Sequence, residues 1–175
     1  MPCGVNSVQE HLLLAGYSDM KDLNLRALGV TLLIDASNIP QDIFRVEERN
    51  ERDQITTLFV KVDDVTHASL IVYFDIVMDR IEQERLNGGK TMVFCAMGIS
   101  RSSTLCIAYL MKHQQMSLRD AYVSCKTARP QICPNNGSWR QLIKYEKKVR
   151  GQNSLKMPMG PEDVRDWYSD GCWEW

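Results

Sequence analysis

With 175 residues and 44% hydrophobic side chains, the chain has the length of one ordinary domain and enough apolar material for a real core. Its 21 basic and 22 acidic side chains nearly cancel, which removes the positive excess of a nucleic-acid or anionic-membrane binder and points to proteins or small phosphorylated molecules as partners. Cys3, Cys95, Cys106, Cys125, Cys133 and Cys172 form neither a CxxC pair nor a dense disulfide framework, so reduced thiols in the cytoplasm or nucleus are expected. No signal segment, myristoylation glycine or apolar run near the ~18 residues of a membrane helix is visible, so no membrane insertion is expected. Nothing in the pattern fixes an oligomeric state.

In chain order, His11 to Ala15 reads as a short strand. Ser18 is placed to cap a helix running through Leu28 and stopped by Gly29, and Val30 to Asp35 reads as a buried strand. Pro40 to Gln54 is a polar excursion and Ile55 to Val62 a further strand. Leu70, Phe74, Val77, Met78 and Ile81 make the stripe of an amphipathic helix that Gly88 and Gly89 end. Thr91 to Phe94 is a strand leading into Cys95, and Ser102 to Lys112 a helix. Two more helices fit Ser117 to Ala128, capped by Ser117 and ended by Pro130, and Ser138 to Val149. The composition changes after Arg150, so residues 1–150 are read as a compact domain and 151–175 as a polar tail containing Trp167, Tyr168, Trp173 and Trp175. Strands alternating with helices imply an α/β fold, a mainly parallel sheet flanked by helices, with ligands bound beyond the carboxyl ends of the strands.

Cys95 stands at such an end. In Cys95-Ala96-Met97-Gly98-Ile99-Ser100-Arg101-Ser102, a cysteine and an arginine are separated by five residues where strand turns into helix. A short loop of that kind aims successive backbone N–H groups inward while the helix N-terminus adds partial positive charge, which suits a phosphate dianion. The guanidinium of Arg101 can clamp two phosphate oxygens, and Gly98 permits a turn that a side chain would obstruct. The same positive setting favours thiolate, the nucleophilic form of cysteine. Ser102 can donate a hydrogen bond to the sulfur and ease its departure from phosphorus.

Cys95 to Ser102 resembles the C-x5-R-[ST] signature of the protein tyrosine phosphatase superfamily. Ser103 to Met111, Met116 to Ala121, Arg129-Pro130 and Pro134 to Gly137 are similar to its small, atypical dual-specificity branch, the likeness covering roughly residues 7 to 150. The resemblance implies hydrolysis of phosphotyrosine and of phosphoserine and phosphothreonine in proteins through a cysteinyl-phosphate, with residues 96–101 binding phosphate and no metal or cofactor. A general acid is also needed. Asp63 and Asp64 both follow the strand ending at Val62, and the resemblance places Asp64 at the acid position. The loop carries no lysine, unlike many phosphoinositide phosphatases of the superfamily, which favours protein substrates. Phe94 departs from the family, where histidine usually precedes the nucleophile. An active but slower enzyme is expected from that change, the alternative being a phosphate-binding scaffold with little turnover. Cys106 and Cys125 read as core residues, and His11, His67 and His113 lack metal-ligand spacing.

Overall fold

A computed structural model describes residues 4–21, 23–39 and 55–155. The excursion at 40–54 and the tail aromatics Trp167, Tyr168, Trp173 and Trp175 lie outside the described residues. The strands are β1 (Asn6–Gln9), β2 (Leu12–Gly16), β3 (Val30–Asp35), β4 (Thr56–Phe59) and β5 (Lys90–Cys95). The helices are α1 (Phe74–Leu86), α2 (Arg101–His113), α3 (Leu118–Ala128) and α4 (Asn136–Arg150). The sheet order is β1-β2-β5-β3-β4, antiparallel between β1 and β2 and parallel elsewhere, which is the mainly parallel α/β sheet expected.

Strand alternation divides the apolar residues between two faces. Leu12, Leu14, Leu32, Ile34, Val93 and Cys95 belong to the main core with α1 to α4, while Leu13, Ala15, Val30, Leu33, Met92 and Phe94 form a smaller cluster. At the centre of the main core lies α2, buried from Arg101 to Met111, with the unbroken apolar run Leu105 to Met111 that a helix enclosed on all sides requires.

The helix expected from Ser18 to Leu28 does not form. A single 3-10 turn occupies Tyr17–Met20, and tight turns lead to Val30. Asn24 accepts the Ala27 N–H through its side chain at 2.9 Å, a local alternative to helical bonding, and Val30 N–H reaches the Leu25 carbonyl at 3.0 Å. Leu23, Leu25 and Leu28 recur at two and three residues and cover the smaller cluster from these turns. The strand β1 falls where no strand was expected, its side chains being only partly buried. The amphipathic stripe begins as a 3-10 turn, Leu70–Tyr73, before becoming α1.

Ser117 caps α3 by accepting the Asp120 N–H at 3.1 Å, and Asn135 caps α4 by accepting that of Ser138 at 2.9 Å. Packing continues past Arg150. Ser154 donates its N–H and hydroxyl to the buried Glu146 carboxylate, and Leu155 joins the main core. No helix among the described residues is long and apolar enough to cross a membrane.

Candidate active site

The central strand β5 ends at Cys95, and after five intervening residues α2 begins with Arg101. The carbonyl of every intervening residue is bonded on the outside of the loop. Ala96 O accepts from Tyr17 N–H at 3.0 Å, and Met97 O and Gly98 O accept from the Arg129 guanidinium at 3.2 and 2.8 Å. Ile99 O takes the Cys133 N–H at 2.9 Å and the Ser103 hydroxyl at 2.5 Å, and Ser100 O takes the Thr104 N–H at 2.9 Å. These peptides are trans, so each N–H opposes the preceding carbonyl, and carbonyls drawn outward leave the amides of residues 97–101 directed into the loop. Gly98 N–H lies 3.3 Å from Cys95 Sγ.

Gly98 has φ +69°, and a Cβ there would stand 2.5 Å from Gly16 N, so neither the turn nor its packing on β2 admits a larger residue. The second close approach is at Gly137. A Cβ there would lie 2.0 Å from the Thr66 carbonyl, so a bare backbone lets the loop after Val62 rest against the start of α4.

Cys95 is buried, with Sγ 3.1 Å from Ser102 Oγ. Arg101 is also buried, and its Nη1 donates to the carbonyls of Ser37 at 2.9 Å and Val62 at 3.1 Å. Its Nε is buried with no hydrogen-bond partner and lies 3.6 Å from Asp64 Oδ2. One edge of the guanidinium is therefore anchored in backbone while Nε is left for a ligand, and a phosphate would remove that unmet donor. Asp64 accepts from Ser100 Oγ at 2.8 Å and Asn135 Nδ2 at 2.7 Å. Asp63 accepts instead from Asn38 Nδ2 at 2.6 Å. Met97 is 68% exposed and Ala96 partly exposed, whereas Gly98 and Ser100 are buried.

Three side chains that the sequence reading did not assign to the site belong to its frame: Arg129, Asp19 and Asn135. Arg129, 3% exposed, binds the loop carbonyls above, the Gly4 carbonyl and Asn6 Oδ1, and pairs with Asp19 Oδ2 at 2.8 Å. Asp19 accepts in turn from the N–H groups of Gly16 and Gly4. Asn135, noted only within the Pro134-to-Gly137 run, brings α4 to Asp64. The Arg-Pro dipeptide after α3 was the available signal for Arg129, but its partner Asp19 is 110 residues away in sequence. Phe94 lies on the opposite sheet face from Cys95, its ring 6.4 Å from that of Tyr17. Burial pushes the Cys106 thiol well up and that of Cys125 up to about 12, which leaves both as protonated packing groups.

A thiol and a guanidinium bracketing a ring of inward amides, with a carboxyl beside them, define a phosphate-ester hydrolase of the cysteine-dependent class. The family model of the dual specificity phosphatase catalytic domain matches residues 12–148. Dual specificity protein phosphatase 14 of Mus musculus is 42% identical over 141 residues, 80% of this chain and 67% of that protein. Dual specificity protein phosphatase 18 of Pongo abelii is 37% identical over 160 residues, 90% of this chain and 81% of that protein. The crystal structure of human dual-specificity phosphatase 28 superposes with a TM-score of 0.72 at 30% identity, covering 85% of this chain and 97% of that one. The chain belongs to the dual specificity phosphatase family and is a protein phosphatase, a hydrolase of phosphotyrosine and of phosphoserine and phosphothreonine in proteins.

Proposed function

We propose that Cys95 is the nucleophile and Asp64 the general acid of this phosphatase. The thiolate Sγ attacks phosphorus, forming the P–S bond as the ester P–O bond breaks, and the Asp64 carboxylic acid delivers its proton to the departing oxygen. The Asp64 carboxylate then takes a proton from water as that water attacks phosphorus. The P–S bond breaks, inorganic phosphate leaves, and the Ser102 hydroxyl donates to the released sulfur. Through both steps the amides of residues 97–101 and Arg101 hold the equatorial oxygens, where charge is concentrated.

The observation that carries this reading is the outward tethering of all five loop carbonyls around Cys95 beside an unsatisfied Arg101 Nε. Asp64 is preferred to Asp63 because it shares partners with the phosphate loop and with Arg101, whereas Asp63 is turned to Asn38. A scaffold without turnover is disfavoured, since nucleophile, clamp and acid meet in one mouth. We also place the enzyme in the cytoplasm or nucleus, from cysteines spaced without a CxxC pair or a disulfide framework, and take the catalytic unit to run through Leu155, with residues 156–175 as a tail.

The test is phosphate release from an aryl phosphate and from phosphotyrosine and phosphothreonine peptides. Cys95→Ser should abolish it. Arg101→Lys, which keeps the charge and loses the planar fork, should reduce kcat on the order of 10²–10³-fold or more. Turnover surviving in Cys95→Ser would remove the nucleophile from this scheme.

A further inference from the structure

Away from the catalytic mouth, α4 exposes Arg140, Lys144, Lys147 and Lys148, spaced four, three and one apart on a single face. Lys148 meets Asp75 at 2.5 Å, while Lys144 and Lys147 have no carboxylate partner among the described residues. Between this face and the turn before α1 runs an open groove of about 400 Å³ lined by Ile71, Lys144, Tyr145, Lys147 and Lys148. The neighbouring Val72 and Ile76 are 69% and 61% exposed. A solvated lysine face alone needs no partner. This one borders the exposed branched aliphatics Val72 and Ile76, a surface that suits an acidic segment bearing aromatic side chains.

Such a segment exists in the chain. Residues 162–175 carry Glu162, Asp163, Asp166, Asp170 and Glu174 against the single cation Arg165, together with Tyr168 and three of the four tryptophans, Trp167, Trp173 and Trp175. We propose that this segment docks on the groove of its own chain, with carboxylates against Lys144, Lys147 and Arg140 and an indole against Ile71 and the neighbouring Val72.

The point of departure allows it. Ser154 is fixed to Glu146 and to the Arg119 N–H, and Leu155 is buried beside them. Lys148 lies two residues beyond Glu146, roughly 200° around the helix, so the tail must cross one helix, ~10–12 Å in diameter. Residues 156–162 span up to ~23 Å when extended. A tether that short keeps the tail at millimolar effective concentration, so individually weak ion pairs and one buried indole suffice, and the tail outcompetes a second copy of the chain.

Zero-length carbodiimide cross-linking of the full chain, prepared as a mixture of light and heavy isotope forms, tests the docking. The expected products join carboxylates of 162–175 to Lys144 or Lys147 within one isotope form, with the Lys148–Asp75 link as an internal sign of intact folding. In Lys144→Glu/Lys147→Glu the tail links should disappear while the Lys148–Asp75 link persists, and acrylamide quenching of tryptophan emission should rise about twofold. Adding Glu162→Lys/Asp163→Lys should return quenching toward the starting value. Tail links spread equally over Lys21 and Lys61, links only between light and heavy chains, or quenching indifferent to the reversals would each overturn the proposal.

Discussion

Asp64 is bonded to two neutral donors, Ser100 Oγ and Asn135 Nδ2, rather than directly to Arg101 Nε, which stands 3.6 Å away. That leaves a carboxyl oriented at the mouth without being consumed by a two-point ion pair. Asp64→Ala should therefore lower turnover by ~10²–10⁴-fold for a phosphopeptide and much less for an aryl phosphate whose leaving oxygen needs little protonation. Asp63→Ala should stay near the parent rate. An equal loss across a series of leaving groups in Asp64→Ala would exclude the acid role. Phe94 poses a different question, because its ring packs with Leu13, Leu33 and Met92 on the face away from Cys95. Phe94→His puts an imidazole into that apolar cluster at a cost of about 1–2 kcal/mol, and melting should fall by roughly 2–8 °C. If histidine supports the nucleophile through the backbone of the loop, the same variant turns over faster near pH 6. Lower melting with unchanged turnover would make Phe94 a packing residue only.

The elements that carry the chemistry are joined at the loop between β5 and α2, and Arg129 fastens that loop to β1 and to the turn after β2. Its guanidinium and the Asp19 carboxylate are 3% and 5% exposed, so removing one strands the other. Arg129→Met should cost about 3–5 kcal/mol in urea unfolding. It should also lower kcat for phosphopeptide and aryl phosphate alike, because Met97 O and Gly98 O lose the donors that turn them outward. Activity unchanged at a temperature where the variant is fully folded would deny Arg129 any positioning role. The loop itself was legible in the sequence because its parts are contiguous, from Cys95 through Ser102. So were β3, β5 and the helices, where the apolar period is unmixed. Arg129 and Asp19 were not assigned to the site, since a contact between distant residues leaves no periodic trace. Ser18 to Leu28 was misread as a helix because a serine, a run of leucines and a following glycine imitate one, while the side chain of Asn24 gives the backbone another partner. The partly buried β1 gave too weak an alternation to be seen.

Across the whole molecule, the helical layer is tied together by charges whose ionisation the fold depends on. The carboxyl of Glu82 is held down to about 2, first by the hydrogen bond from Arg85 and then by that from Tyr109. Lys148, then Lys112 and Tyr145, hold Asp75 well below the usual carboxylate range, and Lys112 with His113 lowers Asp79. Depressed folded values mean that these groups stabilise the protein above their unfolded values near 4 and cease to do so as pH falls through the folded ones. Asp75 and Asp79 are about half-exposed, so salt screens part of their share, while Glu82 is better enclosed. His11 acts earlier in an acid titration. Burial and then the charge of Arg85 lower it, with Nε2 2.8 Å from the Tyr109 hydroxyl, so the unfolded chain binds this proton before the folded one does. Stability should thus be level from pH 8 to 7, decline as pH falls below about 6.5, and fall more steeply below about 4.5. Urea midpoints measured across that range check the order of events. His11→Gln should abolish the first decline and leave the second, whereas a parent protein equally stable at pH 7 and pH 5 would show that His11 takes up its proton in the fold as readily as in the unfolded chain.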